Sequence, residues 1–489
     1  MADQPLQSSA SRALYALRVE GQNFKWVLYD THDLSASAGG SRLLEEIPRE
    51  VKNVFDAQFA GDARSFDQIQ SASSSAVYAC CCTEDKMKDV LNALRDAFRK
   101  DDFAHLTVAV AAIEVAKGGC EEAELTKRIK RNDLKRLSAA MRYAQMTAPN
   151  VAVPVDTKVK AACEKDHLRP KGAKPIYKWS DSVHARREKG KNFRRILASG
   201  AGNEQGSIGT ARTFDGLTSL NKPQDPRNLK LAVISIDGIG FGGHFNRHSE
   251  DGAQLREFSD AMTKLQKGFE DSLLAKWLAM KHAPEEERRD YFIDKLSDDK
   301  FAEDKDVEEL DPSDANVRLL RLQRLVTAGD DSLYLMPAWL AWEFLETFFE
   351  QKWEITIAGA HTELAFRVGM VLCHHNAPIH RIRELAGRLA YQASKDGGDK
   401  IANPIAYEVL KSFDLIGPDL AKYREDRVHR KLSPDQMLLD GKKLETMRDE
   451  LRKLEQERTA GEIKDPARWK AAEAVNAYHL SQLSDFLPD

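Results

Sequence analysis

Three aspartates are candidates for chemistry because each lies beside an apolar stretch that predicts a buried strand. Asp237 ends the apolar run 231–236, and Asp330 and Asp331 lie in a tight Ala-Gly-Asp-Asp turn between two further apolar stretches. Carboxylates that converge from neighbouring strands can hold two divalent cations about 4 Å apart. Mg²⁺ needs only one or two carboxylates when substrate phosphates complete its coordination. A carboxylate at a strand end and a Gly-Asp-Asp turn recur together in enzymes that join nucleotides, where a ribose hydroxyl attacks an α-phosphate. A Gly-Asp-Asp turn by itself is more often only a turn, so the prediction of a two-metal site depends on the order of all these elements.

Small and basic residues near the aspartates are candidates for holding nucleotide phosphates. The Gly-rich turn after Asp237 lets backbone N–H groups approach phosphates, and glycine gives the second turn its backbone freedom. A lysine at a helix end can bind triphosphate or only stabilise that helix end. A serine beside the Asp pair can touch a ligand, although a hairpin serine is more often merely polar. The predicted nucleotide-binding residues are Gly238, Phe241, Gly242, Gly329, Ser332 and Lys395.

The elements that must position these residues begin at Leu229. The pattern predicts a strand, a helix with one apolar face over 258–277, the Asp-Asp hairpin and an aromatic helix. Strands near 353–360 and 366–373 follow, with a helix over 378–395. This β-α-β-β-α-β order resembles the ferredoxin-like split unit.

In the N-terminal part, 12–115, the sequence pattern predicts a strand, a helix, a second strand, a second helix and a third strand. The first strand is placed at 26–29, and Gly39-Gly40-Ser41 is expected to open the first helix with Ser41 as N-cap. Two later strands are placed at 76–80 and 106–110, with an amphipathic helix between them.

The middle and end of the chain carry weaker signals. Residues 156–195 hold thirteen Lys or Arg against five Asp or Glu, which is compatible with an RNA-binding face or with an ordinary solvated surface. The segment 199–228 reads as a linker, 281–318 as an acidic surface insertion, and the tail from 418 as charged helix. His374-His375 could approach a base, but surface polarity is the simpler interpretation.

Composition places the chain among water-soluble globular proteins. It has 489 residues, room for about three domains, and a net charge of −4, so any nucleic-acid binding would need a local patch. No stretch is long and apolar enough to span a bilayer, and the N-terminus lacks the pattern of a secretory signal. Three of the six cysteines are consecutive (80–82), which favours buried strand packing over a disulfide framework. The expected location is therefore the reducing cytoplasm.

The segment 229–415 resembles the catalytic palm of the large subunit of type III CRISPR effector complexes, the cyclic oligoadenylate synthases. It is more distantly similar to GGDEF diguanylate cyclases. Asp237 matches the first aspartate of the family's Asp-x-Asp strand, 328–331 match its Gly-Gly-Asp-Asp turn, and Lys395 matches its Ala-Lys helix end. The matching stretches are LAVISIDGIGFGG (231–243), VTAGDDSLYLMP (326–337), CHHNAPIHRIRELAGRLAYQASK (373–395) and NPIAYEVLKSFD (403–414).

The N-terminal third resembles the family's first, non-catalytic palm through residues 19–48. The stretch 78–85 (YACCCTED) is placed at its turn motif, without paired aspartates. Two residues depart from the catalytic pattern: Ile239 replaces the second aspartate of the strand motif, and Ala328 replaces a glycine.

Two accessory modules of the family are not expected here. No nuclease-type His-Asp pair occurs in residues 1–20. Tetrahedral zinc needs four ligands, whereas the connector offers Cys163, His167 and His184, so the expected connector is zinc-free.

The resemblance implies an α+β fold with two ferredoxin-like palm domains, a helical connector and a helical C-terminal tail. Two ATP molecules would lie between the palms, and Mg²⁺ or Mn²⁺ would be held by Asp237 and Asp330 with Asp331 assisting. The product would be a cyclic oligonucleotide signal. The implied segments are a non-catalytic palm at 12–120, a basic connector and linker at 121–228, the catalytic palm at 229–417, and a helical C-terminal domain at 418–489.

Two other functions stay open at this point. One is a scaffold or RNA-binding subunit of an effector complex whose chemistry has lapsed, which Ile239 and Ala328 favour and the three aspartates oppose. The other is a cyclase that acts outside any guide-RNA complex. A guide-RNA-containing complex and RNA at 156–195 are possible partners, and no membrane partner is expected. Ring size, linkage, base preference and oligomeric state cannot be read from the residues.

Overall fold

The computed structural model describes most of the chain before the C-terminal tail. Among the described residues, no helix is both long and apolar enough to cross a bilayer. The expectations for the frayed N-terminus, for most of the acidic insertion and for most of the tail fall outside them, as does part of the linker. The structure describes 12–22, 27–28, 30–31, 33–60, 65–72, 74–100, 103, 106–117, 124–147, 163–165, 179–199, 209–211, 213–220, 224–225, 227–247, 250–293, 319–328, 330–398, 401–410, 438–446 and 449.

The N-terminal unit is a four-stranded antiparallel sheet with two helices, in the sheet order β2-β3-β1-β4. Strand β3 is buried along its whole length because its residues are small or apolar on both faces. Helix α2 begins at the N-cap Thr83, whose side chain accepts a hydrogen bond from the Lys86 N–H. The elements are β1 (Ala13–Gln22), α1 (Leu34–Gln58), β2 (Phe66–Ala72), β3 (Ser75–Cys82), α2 (Glu84–Ala97) and β4 (Thr107–Lys117).

The first strand and the turn motif of this unit were placed wrongly from the sequence. Val27 and Leu28 are helical, and the strand is β1, earlier in the chain. Strand β1 is central and pairs with β3 and β4 on its two sides, a tertiary arrangement that local propensity does not reveal. The stretch 78–85 forms the end of β3 and the start of α2, and the hairpin turn lies at 72–75 instead.

The start of α1 also differs from expectation. The N-cap is Asp33, whose carboxylate accepts the Ala36 N–H at 2.9 Å, and Gly39 lies well inside the helix. A side chain at Gly39 would collide with the carbonyl of Arg186, and one at Gly190 with the carbonyl of Ser35. These glycines therefore allow two helices to cross backbone to backbone, rather than marking a helix start.

The connector contributes short elements around the N-terminal unit. They are α3 (Leu125–Arg128), α4 (Arg131–Thr147), α5 (Asp181–Ser199), β5 (Gly209–Thr210) and α6 (Phe214–Thr218). Within the basic segment, residues 156–162 and 166–178 lie outside the described residues. Cys163 packs in a small apolar cluster with Ala36 and Val183, and His167 is outside the described residues.

The described arginines of α5 are engaged by carboxylates of the N-terminal unit. Arg186 is 1% exposed and bonds both carboxylate oxygens of Asp30, at 2.7 and 3.0 Å. Arg187 bonds Asp33 at 3.2 Å. These cations therefore fix α5 to the first unit.

The cysteine run is buried, as expected, but its chemistry differs in one position. Among the described residues Cys80, Cys82, Cys163 and Cys373 are free thiols, whereas Cys81 is bonded in a disulfide. Burial raises the pKa of the Cys82 thiol to about 11, so this thiol stays protonated.

The C-terminal unit is a five-stranded sheet in the order β14-β13-β6-β10-β9, antiparallel except for the β13–β14 pair. Strands β11 and β12 form a separate hairpin, and β5, β8 and β7 a small sheet. The elements are β6 (Lys230–Ile239), α7 (Phe241–Arg247), α8 (Gly252–Ala279), α9 (Glu285–Tyr291), β7 (Phe292–Ile293), β8 (Leu319–Leu320), β9 (Gln323–Ala328), β10 (Asp331–Pro337), α10 (Ala341–Glu350), β11 (Glu354–Ile357), β12 (Ala360–Glu363), β13 (Ala365–His374), α11 (Ile379–Gly397) and β14 (Ile405–Val409).

The two faces of this sheet bury different helices. Ile234 and Ile236 of β6 face the cluster formed with α8 and α10. Leu231 and Val233, which alternate with them, face the cluster formed with α11. Both faces are covered, which explains why β6 reads as a continuous apolar run.

One helix of each unit also packs against a strand of the other unit. Helix α1 packs against β9 of the C-terminal unit, and α8 packs against β2 of the N-terminal unit. The Ser259 hydroxyl of α8 donates to the carbonyl of Ser71 at 3.3 Å, and Arg324 of β9 reaches Glu45 of α1 at 3.5 Å. The predicted α+β class is confirmed, with antiparallel and mixed sheets.

Candidate active site

The pairing register brings the three aspartates to one end of the C-terminal sheet. Strand β6 is flanked by β10 and β13, and Asp237 of β6 lies opposite Arg367 of β13. On the other side Ser332 lies opposite Ile236, so Asp331, one residue earlier, comes beside Asp237. Because side chains alternate along a strand, Asp237, Asp331 and Arg367 project from the face that α11 covers.

Contacts within the cluster are direct. The side chains of Asp331 and Asp237 are joined by a hydrogen bond. Asp330 lies at the same place, because a Cβ added to Gly238 would come within 2.8 Å of its Cβ. The predicted convergence of carboxylates from two strands is therefore present in the geometry.

Burial and mutual repulsion raise the pKa of two carboxyl groups in this cluster. Burial, the hydrogen bond to Asp237 and the charges of Asp237 and Asp330 raise the pKa of Asp331 to about 8. Burial, opposed by a backbone hydrogen bond, also raises the pKa of Asp330, with the charge of Asp237 adding to the effect. Since like charges this close disfavour ionisation, Asp331 keeps its proton to a higher pH than an isolated aspartate does.

Arg367 is the cation that faces this cluster. Its Nε donates to Oδ2 of Asp237 at 2.6 Å, and its terminal nitrogen forms an ion pair with the same oxygen. The guanidinium carbon lies 5.2 Å from the centre of the Tyr391 ring, and Nζ of Lys395 lies 4.5 Å from the same ring. Lys395 is thus brought to the aspartate end of the sheet, on a shared aromatic surface with Arg367.

Sequence reasoning missed Arg367 and Tyr391. A usable signal exists, because Arg367 is the single charged residue within the stretch Ala365–Cys373, an otherwise apolar or small-residue strand. A lone arginine in a central strand needs an anionic partner nearby.

The donor set fits a hard divalent cation in type and charge. Three carboxyl groups at one end of the sheet offer the oxygen ligands that Mg²⁺ and Mn²⁺ prefer. As the side chains stand, however, no group of three or more His, Cys, Asp or Glu within the described ranges is arranged as an ion-binding set. The Asp237 carboxylate is instead turned to Arg367.

The Gly-rich turn after β6 is shaped by packing. The Phe241 ring lies against Gly238, where any side chain would collide with it, and 5.3 Å from the Phe366 ring. A Cβ at Gly242 would meet open space, and Gly242 itself is exposed. Nucleotide binding by Gly238, Phe241 and Gly242 stays a prediction.

Ser332 faces away from Asp331. It is 9% exposed, and its hydroxyl bonds the Tyr334 hydroxyl, which donates to Glu270 at 2.9 Å. Glu270 in turn accepts from Arg324 at 2.8 Å. Ser332 thus belongs to a polar network on the α8 face, while Gly329 lies outside the described residues.

The histidine pair lies at the other end of the sheet. His374 is opposite Lys230, seven positions along β13 from Arg367, or about 23 Å at the usual strand rise. Nδ1 of His375 lies 2.9 Å from Asp215, and burial lowers the pKa of both imidazoles. His375 is 8% exposed, so the expected surface position is wrong for this residue.

Comparisons with known proteins find a likeness among solved structures. No protein-family model and no curated protein sequence matches the chain. The crystal structure of an apo Csm1–Csm4 cassette is 17% identical, with a TM-score of 0.47, and is matched over 99% of this chain and 67% of that chain. The chain is similar to Csm1.

Two further structures give the same picture. A Csm1–Csm4 cassette in complex with cA4 is 14% identical (TM-score 0.45; 98% of this chain, 66% of that chain), and Csm1 in T. onnurineus is 15% identical (TM-score 0.47; 97% and 65%). Csm1 is a large subunit of type III CRISPR complexes, the kind of protein that the motifs resemble. The chain spans about two thirds of the length of these Csm1 chains. Identities and TM-scores this low carry no argument about activity, substrate or partners.

Proposed function

We propose that this protein is a metal-dependent nucleotidyltransferase that joins ATP into a cyclic oligonucleotide. The observation that carries the proposal is the convergence of Asp237, Asp330 and Asp331 at one end of a sheet. Burial and mutual repulsion raise the pKa of two of these carboxyls. Carboxyl groups with raised pKa values that lie together are common at functional sites, and here they accompany the convergence of the side chains.

In this proposal each side chain has a defined task. Asp237 and Asp330 hold Mg²⁺ or Mn²⁺, with Asp331 assisting. Bound divalent ions lower the pKa of an attacking hydroxyl and stabilise the charge of leaving pyrophosphate. Lys395 binds phosphate oxygens from the end of α11, and the turn from Gly238 to Gly242 lies beside the phosphates.

The chemistry balances without any further reactant. A ribose hydroxyl oxygen of one ATP forms a bond to the α-phosphorus of another, and the bond from that phosphorus to the pyrophosphate oxygen breaks. The hydroxyl proton passes to water. Repetition of this step and closure of the last bond give a ring.

The proposed architecture is a pair of ferredoxin-like palms with the boundaries 12–120 and 229–417. Two ATP molecules would lie between the palms, and the protein would act in CRISPR-type antiviral defence within a guide-RNA-containing complex. RNA binding through 156–195 is the weakest element of the proposal, since Arg186 and Arg187 are already paired with buried aspartates.

A second candidate is a palm pair that has lost its chemistry and acts as a scaffold. The ion pair between Arg367 and Asp237 favours it, because this pair neutralises a predicted metal ligand within the protein. Ile239 and Ala328, where the related family has aspartate and glycine, favour it as well.

The deciding experiment is incubation of the purified protein with ATP and Mn²⁺ or Mg²⁺, followed by pyrophosphate assay and mass spectrometry. We expect a cyclic product from the wild type and none from the double variant Asp330→Ala/Asp331→Ala. The matched control is Glu84→Ala/Asp85→Ala, which removes two adjacent carboxylates at exposed positions of α2. Equal product from the Asp330/Asp331 variant would refute the aspartate site as the place of the reaction. No product from the wild type would favour the scaffold.

A further inference from the structure

Arg367 holds a position that few arginines in a sheet have. It projects from the central part of the C-terminal sheet, opposite Asp237, and its side chain is 21% exposed. Both bonding nitrogens meet the same carboxylate oxygen, Oδ2. The neighbouring Asp331 side chain bonds the same Asp237 carboxyl group from β10. Asp237 is therefore shared between a cation on one strand and a carboxyl group on the other.

Two other arginine–aspartate pairs of this protein, those of Arg186 and Arg227, have a different geometry. Arg186 bonds both oxygens of Asp30 and the carbonyl of Val27, with side chains that are 1% and 0% exposed. Arg227 likewise bonds both oxygens of Asp225. A two-oxygen fork is the strong arrangement for an arginine that must stay in place. Arg367 lacks that fork and is held by one oxygen and an exposed ring.

The Tyr391 ring is a second surface, besides Asp237, on which the Arg367 guanidinium can lie. Tyr391 is 51% exposed, and its ring is approached both by the Arg367 guanidinium and by the Lys395 ammonium. Two cations over one aromatic ring repel each other unless an anion lies between or beside them. A triphosphate, with its several negative oxygens, is the anion class that two such cations recognise together.

We propose that Arg367 is an internal counter-ion of Asp237, which a divalent cation displaces and which then joins Lys395 in binding the triphosphate. This inference rests on the proposed function, because it assumes that Asp237 binds metal. It assigns Arg367 two successive partners. Arg367 would therefore weaken metal binding in the absence of nucleotide and strengthen nucleotide binding in its presence.

The opposite signs of these two effects give the test. Mn²⁺ binding without nucleotide is measured by electron paramagnetic resonance of free Mn²⁺, and ATP binding by calorimetry at saturating Mg²⁺. For Arg367→Gln we expect Mn²⁺ affinity to rise about tenfold and ATP affinity to fall about tenfold, as for loss of one charged hydrogen bond. Arg367→Lys, which keeps the charge but loses the planar guanidinium with its several donors, should lie between wild type and Arg367→Gln in both measurements.

Arg227→Gln is the matched control. This substitution also removes a guanidinium that is paired with an aspartate, here Asp225. The Arg227–Asp225 pair precedes β6 and so lies away from the Asp237 end of the strand. We expect it to leave both affinities unchanged, which excludes a general effect of net charge. Thermal unfolding of each variant verifies folding.

Three results overturn the inference. If the wild type makes cyclic product and Arg367→Gln binds Mn²⁺ no more tightly, the inference fails and the proposed function stands. If neither the wild type nor Arg367→Gln binds Mn²⁺, the inference and the proposed function both fail. A fall in both affinities would assign Arg367 a merely structural role.

Discussion

The two sheets of the molecule share one connectivity but differ at the end where chemistry is proposed. The order β2-β3-β1-β4 of the N-terminal sheet corresponds strand by strand to β9-β10-β6-β13 of the C-terminal sheet. Glu20 of β1 pairs with Ser75 and with Ala109, whereas Asp237 lies between Asp331 and Arg367. The N-terminal sheet thus has one carboxylate where the C-terminal sheet has a cluster.

The same comparison extends to the glycine beside each carboxylate. Gly21 follows Glu20 and lies next to Ser74, as Gly238 follows Asp237 and lies next to Asp330. Glu20 is bridged at 2.8 Å by Arg18 of its own strand, so its charge is compensated locally. The repeated framework therefore fixes where a site can form, and a few side chains at the strand ends decide whether it carries chemistry.

The largest expected effect separates the two equivalent carboxylates. Asp237→Ala should lower product formation at least about a thousandfold, because bound metal ions contribute several kcal/mol of transition-state stabilisation. Glu20→Ala should change it less than about twofold, because the Arg18–Glu20 ion pair is partly exposed and lies outside the proposed site. The rate of pyrophosphate release measures both, and a similar loss in the two variants would mean that the sheets are not functionally distinct.

The comparison can also be tested by giving the N-terminal sheet the charges of its counterpart. Ser74→Asp/Ser75→Asp places two carboxylates beside Glu20, and we expect it to lower the free energy of unfolding by about 2 kcal/mol through like-charge repulsion. Urea unfolding measures this change. Ser74→Asn/Ser75→Asn adds similar volume without charge and is expected to cost less; an equal cost would point to packing rather than to charge.

The glycines should differ in the same direction. Gly238→Ala should cost about 2 kcal/mol of unfolding free energy, because its Cβ would collide with the packed Phe241 ring and lie 2.8 Å from the Cβ of Asp330. Gly21→Ala should cost about 1 kcal/mol, since its Cβ would meet flexible side-chain ends, Cδ1 of Ile47 at 2.8 Å and Cδ2 of Leu44 at 3.0 Å. Denaturant titration of the two variants would contradict this reading if Gly21→Ala were the more costly.

The smallest expected effect is a pH dependence confined to the C-terminal site. The folded-state pKa of Asp331, about 8, lies above its ordinary value of 3.8, so its contribution to stability is complete below about pH 4 and is lost as the pH rises towards 8. Asp331→Asn removes this loss. Because Asp331 keeps contact with solvent, which screens its charge, we expect the metal-free variant to be only about 1 kcal/mol more stable than wild type at pH 8.5.

At pH 4 the same substitution should leave stability nearly unchanged. Thermal unfolding with a chelator at both pH values measures the difference. A stabilisation that is equal at the two pH values would assign the effect to packing and not to the proton.

The position of the aspartate cluster was predictable, because apolar runs that end in acidic residues are local patterns. Hydrophobicity placed Asp237 and the Asp330-Asp331 turn beside apolar strands, and the order of elements, with the family resemblance, brought them to one site. The geometry agrees with that placement. The α+β class and the helix bounds of α11 were predictable for the same reason.

What could not be predicted depends on residues distant in sequence. The role of Gly39 follows from the crossing of α1 by α5, and β1 follows from its pairing on both sides. The partner of Arg367 is fixed by a register that joins positions 130 apart. None of these contacts changes the periodicity of apolar residues in the local sequence, from which elements are predicted.

The packing of α8 against β2 of the N-terminal unit has a consequence for synthesis of the chain. Strand β2 lies at the edge of its sheet and is covered by α8, which begins only at Gly252. At roughly 5–20 residues per second, a ribosome would leave that edge uncovered for about ten seconds or longer. Unpaired edges attract other strands. The nascent N-terminal half would then be the species most prone to aggregate or to need a chaperone, and truncation before α8 would make that state permanent.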